Sequence, residues 1–132
     1  MSPRELFERL TSGIARRDFA ALADLYADDA VVVTPMRPQR LEGKAALLEF
    51  FAGAARLPLE LVQDNVVVHE TTDPEVVVAE WDWVGRVTTT GATFRVPNVQ
   101  VLRARDGVIV ETRDYHDHHT IAGALGGTPL PA

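Results

Sequence analysis

The sequence predicts an α+β domain: three N-terminal helices wrapped by a curved antiparallel sheet of about four long strands plus a short one. Three observations carry that prediction. Apolar residues recur at helical spacing before Pro58, the period changes to two after it, and turn signals then cut the second half into strands. No repeat, linker or low-complexity segment interrupts the chain, so residues 1–132 read as a single domain.

Each element has its own signal. Ser2-Pro3-Arg4-Glu5 is a helix start, with Ser2 as cap, Pro3 in the first turn and Glu5 completing a capping box. Leu6, Phe7, Leu10 and Ile14 share one face of the helix that follows, which runs to about Arg16. A second helix, capped by Asp18, carries Leu22, Leu25 and Tyr26 and ends near Asp28-Asp29. Residues 30–34 form a short buried strand stopped by Pro35, and 36–41, with Pro38, form a loop. Glu42-Gly43 opens a third helix whose apolar face is Ala46, Leu47, Phe50 and Phe51. Four strands follow, over 59–69, 76–88, 93–104 and 108–117, the second interrupted late by Gly85. Thr72-Asp73-Pro74-Glu75, Gly91 and Asp106-Gly107 are the turns between them, the last a strong hairpin signal. A helical turn over 121–125 and a frayed end over 126–132 close the chain.

Bulk composition removes several classes. A hydrophobic content of 46% with 24% charged residues is that of a water-soluble globular protein, and 132 residues suffice for one real core. The net charge of −6 argues against nucleic acid, which needs a basic face. With no cysteine there is no disulfide framework, thiol nucleophile or thiolate metal site. No apolar run approaches the ~18 residues of a membrane span, and Met1-Ser2-Pro3-Arg4-Glu5 lacks a signal-peptide core. The expectation is therefore a cytoplasmic protein with no membrane partner. No cofactor is implied, because no Gly-rich phosphate loop follows a strand.

A long, twisted antiparallel sheet curls, and helices on its concave face cannot fill the cone to its mouth. The largest concavity then lies between the first helices and the middle of the sheet, where small-molecule sites occur. Strand alternation limits which side chains reach it. In the last strand Val110, Thr112, Asp114 and His116 share one face, and Ile109, Glu111, Arg113, Tyr115 and Asp117 the other. Three charged groups are costly to bury together, so the second set is placed on the convex face and Asp114 and His116 point inward. In the third strand Val96, Asn98, Gln100, Leu102 and Ala104 face inward, setting two amides on an apolar wall. In the second, Ala79, Trp81 and Trp83 face the interior and oppose Glu80, Asp82 and Arg86.

Several of these stretches resemble a known family. The pattern Asp18-Phe19…Leu25-Tyr26-Ala27-Asp28-Asp29-Ala30, the entry Leu41-Glu42-Gly43-Lys44, and the run Asp106-Gly107-Val108-Ile109-Val110-Glu111…Asp114-Tyr115-His116-Asp117 are similar to the nuclear transport factor two-like superfamily, in its SnoaL-like branch. The likeness covers nearly the whole chain and implies a cone-shaped, cystatin-like α+β barrel. Its motifs specify the fold far better than the activity, since this fold hosts cyclases, isomerases, dehydratases, epoxide hydrolases and non-enzymatic modules.

Residue by residue, the resemblance implies the following. The last-strand Asp that serves as acid/base in SnoaL-type polyketide cyclases matches Asp114, while the histidine of their preceding strand falls on Gln100. The base and the oxyanion Tyr and Asp of ketosteroid isomerases fall on Thr34, Leu10 and Gln100, so that mechanism loses its groups. Limonene-epoxide hydrolases also match at Asp114, but their Arg-x-Asp is Glu80-Trp81-Asp82 here, and valines 31–33 stand where they hold a water. Alternation places Asp82 on the convex face, outside the site.

The resulting expectation is acid/base chemistry of cyclase, isomerase or lyase type on a small apolar oxygenated molecule. Asp114 moves the proton, with His116 beside it. Gln100 and Asn98 hydrogen-bond the oxygen where charge develops. Trp81, Trp83, Tyr26, Met36 and Phe50 shape the cavity. No metal site is expected: His116-Asp117-His118-His119 reads as a solvated strand end, with His69 on a distant one. The rival readings are an epoxide hydrolase of the limonene-epoxide hydrolase type and a non-catalytic ligand-binding or dimerisation module. Related proteins commonly pair through the convex sheet face, which here carries Glu80, Arg103, Glu111 and Arg113, so a homodimer is expected.

Overall fold

In a computed structural model, which describes residues 1–126, the chain folds as α1 (Pro3–Ala15), α2 (Phe19–Leu22), β1 (Tyr26–Thr34), β2 (Gln39–Glu42), α3 (Lys44–Ala55), β3 (Leu59–Glu70), β4 (Val76–Val87), β5 (Thr93–Arg105), β6 (Val108–His116) and α4 (His118–Ala124). The fold is α+β: a curved, unclosed sheet with its helices gathered on the concave face. The frayed end expected over 126–132 lies, apart from Gly126, outside the described residues.

The first helix begins as its sequence dictates. Ser2 Oγ accepts from the Glu5 amide and Glu5 Oε1 accepts from the Ser2 amide, each at 3.2 Å. Leu6, Phe7 and Leu10 are buried against the sheet. The chain then turns at Arg17, held at φ 59°. The Arg17 guanidinium donates to the carbonyls of Ala55 and Leu57, at 2.8 and 3.2 Å, and to that of Leu59. One side chain thus satisfies the Ala55 carbonyl at the end of α3 and, through Leu57 and Leu59, pins the α1–α2 turn to the start of β3.

The second helix is shorter than its apolar spacing predicts. Asp18 makes no side-chain cap, and α2 passes after one turn into a 3₁₀ turn over Ala23–Leu25. Tyr26, expected on that helix, is already extended and begins β1 opposite Ile109 of β6. Pairing to the last strand overrides the helical pattern here. The expected loop over 36–41 is likewise corrected. Pro35 and Pro38 occupy only the turn, and 39–42 return as β2, with Thr34 opposite Gln39 and Val31 opposite Glu42. The turn is closed by the Arg37 amide on the Thr34 carbonyl, at 3.1 Å, and by the Thr34 hydroxyl on the Arg37 carbonyl, at 2.9 Å.

The described residues form a six-stranded sheet in the order β2-β1-β6-β5-β4-β3. From β3 to β6 it is the predicted antiparallel meander, but β1 pairs with β6 in parallel. No hairpin links those two strands. Their connection is the rest of the domain, which leaves the direction of β1 free to be set by packing. The register of β4 on β5 is unbroken, with Trp81 opposite Asn98 and Ala79 opposite Gln100. Gly85 lies directly opposite Phe94, and a Cβ there would stand 2.1 Å from the Phe94 ring, so the ring covers the glycine. In β6 the register shifts next to Ile109. That bulge overturns the alternation expected for this residue: Ile109, assigned to the outer face with Glu111, is fully buried in the core.

Candidate active site

The cavity lies where curling of the sheet and the width of the helices leave space, with a volume of about 200 Å³. This is small beside the ~300–1,000 Å³ of most ligand sites. Its walls are apolar side chains of α1, α3, β3 and β4, and Asp114 is the only carboxylate lining it among the described residues.

Asp114 is placed by the pairing of β6 with β5, which sets it opposite Gln100, while His116 stands opposite Asn98. Gln100 Nε2 lies 3.1 and 3.2 Å from the two carboxylate oxygens and Asn98 Nδ2 lies 3.3 Å from Oδ1. Both amides are buried, so they hold the carboxylate in one orientation. Desolvation raises the Asp114 pKa from 3.8 to about 6, against the opposing pull of the Asn98 and Gln100 hydrogen bonds. The carboxyl is thereby poised to take or give a proton near neutrality. Asn98 and Gln100, expected to meet a substrate oxygen, spend these N–H groups on Asp114 instead.

His116 shifts the other way. Burial lowers its pKa from 6.5 to about 4, with positive charge on His118 and Arg37 adding to the effect and Asp117 opposing it. The His116 and His118 rings lie 3.9 Å apart between centroids. His118, read as part of a solvated end, instead begins α4 and lines the cavity together with Arg37 from the β1–β2 turn. A strand-only reading of the run could not turn it inward; the signal is Asp117, whose carboxylate accepts from the Thr120 amide at 3.0 Å and starts the helix.

Tyr26 is buried beside Asp114. Burial, and then the Asp114 charge, push its phenol well above the usual range, so it remains an O–H donor. Trp81 and Trp83 meet edge to face at 5.7 Å between centroids and, with Phe50, wall the cavity. Met36 does not take part. It is 68% exposed at the tip of the β1–β2 turn, because 39–42 pair with β1 and carry the tip away from the interior. Asp82 lies on the convex face, bonded to Asn65 at 3.2 Å and Arg95 at 2.9 Å, as alternation placed it. His69 is on that face too, 2.7 Å from Glu80. Among the described residues no three metal-ligating side chains converge.

The family model for the SnoaL-like domain matches residues 7–112. The chain belongs to the SnoaL-like family. Among curated proteins it is 28% identical over 130 residues to the uncharacterised YesE of Bacillus subtilis, covering 96% of this chain and 88% of that protein. Among solved structures it resembles a candidate isomerase from Bacillus subtilis, at 28% identity and a TM-score of 0.86, covering 97% and 95% of the two chains. A candidate polyketide cyclase from Pseudomonas putida shares 19% identity with a TM-score of 0.81, over 94% and 98% of the chains, a likeness of fold. The cone is that of the nuclear transport factor two-like superfamily. Within this SnoaL-like domain, the three positions matched to the ketosteroid isomerase groups, Thr34, Leu10 and Gln100, all line the cavity. All three positions thus lie in one cavity, with side chains that differ from the ketosteroid isomerase groups.

Proposed function

We propose that the cavity is the active site of an enzyme that moves a proton on a small, apolar, oxygenated substrate, in a reaction of cyclase, isomerase or lyase type. The observation that carries this is Asp114: a lone carboxylate in an apolar cavity, oriented by two buried amides, with a pKa of about 6. As a base its carboxylate takes a proton from a carbon next to a carbonyl, and the electron pair left behind moves to the carbonyl oxygen. As an acid it returns that proton to carbon or to a leaving oxygen. Tyr26, buried close enough to Asp114 for that charge to raise its phenol, is a donor that suits the developing oxyanion. Unpaired buried atoms support a polar guest: Trp81 Nε1 and Gln100 Oε1, on residues that line the cavity, have no partner among the described residues.

Hydrogen–deuterium exchange at the α-carbon of 2-tetralone in D₂O, followed by NMR, tests this reading. The protein is expected to accelerate exchange and Asp114→Asn to lower the rate by about 10²–10⁴-fold; equal rates in the two proteins would remove the mechanism. Epoxide hydrolysis is less well supported, since it calls for a second carboxylate in the cavity and Asp82 faces away. A purely ligand-binding module is less well supported too, since Asp114 is tied to side-chain amides beside an open apolar space rather than to backbone donors.

A further inference from the structure

Two polar atoms in the cavity wall have complementary needs. Gln100 gives its amide nitrogen to both oxygens of Asp114, at 3.1 and 3.2 Å, so the amide cannot flip without setting its own oxygen against a carboxylate. Gln100 Oε1 is therefore turned away from Asp114, and it has no hydrogen-bond partner among the described residues. Trp81 Nε1 has none either. The indole ring is fixed edge to face between Phe7 and Trp83, at 5.1 and 5.7 Å between centroids, so it cannot turn its N–H out to water. Both residues line the cavity, and each is only 4% exposed. An acceptor and a donor left unmet in an apolar interior are both costly.

The sheet puts the two within reach of one guest atom. Trp81 stands opposite Asn98 and Ala79 opposite Gln100, so Trp81 and Gln100 are diagonal neighbours on the inward face of β4 and β5. A hydroxyl accepts from the indole and donates to the amide carbonyl with a single oxygen. A ketone or ether oxygen meets only the first need, and an ammonium group only the second. We infer that the substrate carries a hydroxyl group besides the carbonyl at its reacting end, and that this hydroxyl binds between Trp81 Nε1 and Gln100 Oε1.

The inference rests on the reading of this cavity as the active site and adds the class of substrate, a hydroxylated carbonyl compound. The amide nitrogen and oxygen of Gln100 share one carbon. A hydroxyl on Oε1 is thereby held a few covalent bonds from the atom at which Asp114 takes or gives its proton. The side chain that aims the acid also sets the register of the substrate against it. A site whose buried groups wait for an O–H rejects analogues that lack one, because they leave those groups unpaired.

The test compares phenol with fluorobenzene, probes of nearly the same shape of which only phenol has an O–H. It is run at pH ~8, where Asp114 is ionised and holds the Gln100 nitrogen. Quenching of tryptophan fluorescence, excited where phenol does not absorb, follows binding, because the chain's two tryptophans are both in the cavity wall. Phenol is expected to bind at least about tenfold more tightly than fluorobenzene. Trp81→Phe and Gln100→Met, checked for folding by circular dichroism, are each expected to shrink that ratio to roughly threefold or less. Asp114→Asn is expected to keep it, since the new side-chain carbonyl still accepts from Gln100. A ratio near one in the unsubstituted protein, the result if a bound water serves both atoms, overturns the proposal. So does a ratio that survives either Trp81→Phe or Gln100→Met, a ratio lost with Asp114→Asn, which would seat the hydroxyl on the acid instead, or no binding of either probe at ~10 mM. The proton-transfer reading fails separately: it falls if exchange of 2-tetralone is absent, whatever the ratio.

Discussion

Asp114 and His116 share a strand face and have exchanged their usual order of titration. In water an aspartic acid loses its proton well before a histidinium does. Here the carboxyl titrates near 6 and the imidazole near 4. Between those values both are neutral, an acid and a base side by side. The signs of their effects on stability are opposite. Asp114, raised from 3.8, contributes stability that is present below that value and lost as pH rises through about 6. His116, lowered from 6.5, contributes stability that is present above that value and lost as pH falls through about 4. In the wild type the two slopes largely cancel over the same window. Urea unfolding measured at several pH values should expose each in turn. Asp114→Asn is expected to give stability that rises from pH ~4 to ~6.5, and His116→Gln stability that falls over pH ~4 to ~6, each on the order of 2 kcal/mol. Carboxyl NMR should place Asp114 near 6, with Gln100→Ala moving it higher because a bond to the charged form is gone. Asp114, Asn98, Gln100, Trp81 and Trp83 were legible in the sequence, since burial energy and strand alternation agree for each. Met36 and His118 were not, because both lie where the chain leaves one element for the next.

At the scale of elements, alternation holds where the ladder is regular and fails where it is bulged. From β4 to β5 the register is unbroken, and every inward residue predicted there is buried. Ile109, beside the β6 bulge, is the exception already described, and nothing in Asp106-Gly107-Val108-Ile109-Val110 marks the extra residue. The β1–β2 hairpin was hidden for a related reason: two prolines forbid a central strand, yet here they fall in the turn. Gly85 was read as an interruption of its strand. It is instead the bed of the Phe94 ring. Gly85→Ala is therefore expected to destabilise the protein by about 2 kcal/mol, through overpacking against the Phe94 ring. Phe94→Leu in the same chain should return part of the loss, and a double-mutant cycle in denaturant would measure the coupling. Independent, additive costs would show that the ring and the glycine are not coupled.

The whole molecule offers two surfaces with different demands. The concave side is filled except at the cavity. On the convex side Val62 and Val67 are 61% and 49% exposed, and Val78, Val99, Val101 and Tyr115 are half-buried beside them, amid Arg95, Arg103 and their acidic partners. We propose that a second copy of the chain covers this face. Light scattering at micromolar concentration is expected to give the mass of two chains, and Val67→Lys that of one; a monomer without the substitution ends the proposal. The cone itself was legible, because the change of period at Pro58 fixes which half supplies helices and which supplies sheet. The parallel contact between the first strand and the last was not, since local pattern says nothing about direction across so long a connection.

That contact has a consequence for how the protein comes into being. The strand β6 is the last to be made, yet it sits in the middle of the sheet, and β1 and β2 touch the other strands only through it. During synthesis the hairpin with Val31, Val32 and Val33 must wait, one edge open, while α3 and three further strands leave the ribosome; the edge of β5 waits as well. Open edges of this kind invite pairing with other chains. The protein is thus most exposed to aggregation before its final strand emerges, and the pairing that closes the sheet is the same event that sets Asp114 against Asn98 and Gln100. Completion of the fold and creation of the site cannot be separated in time.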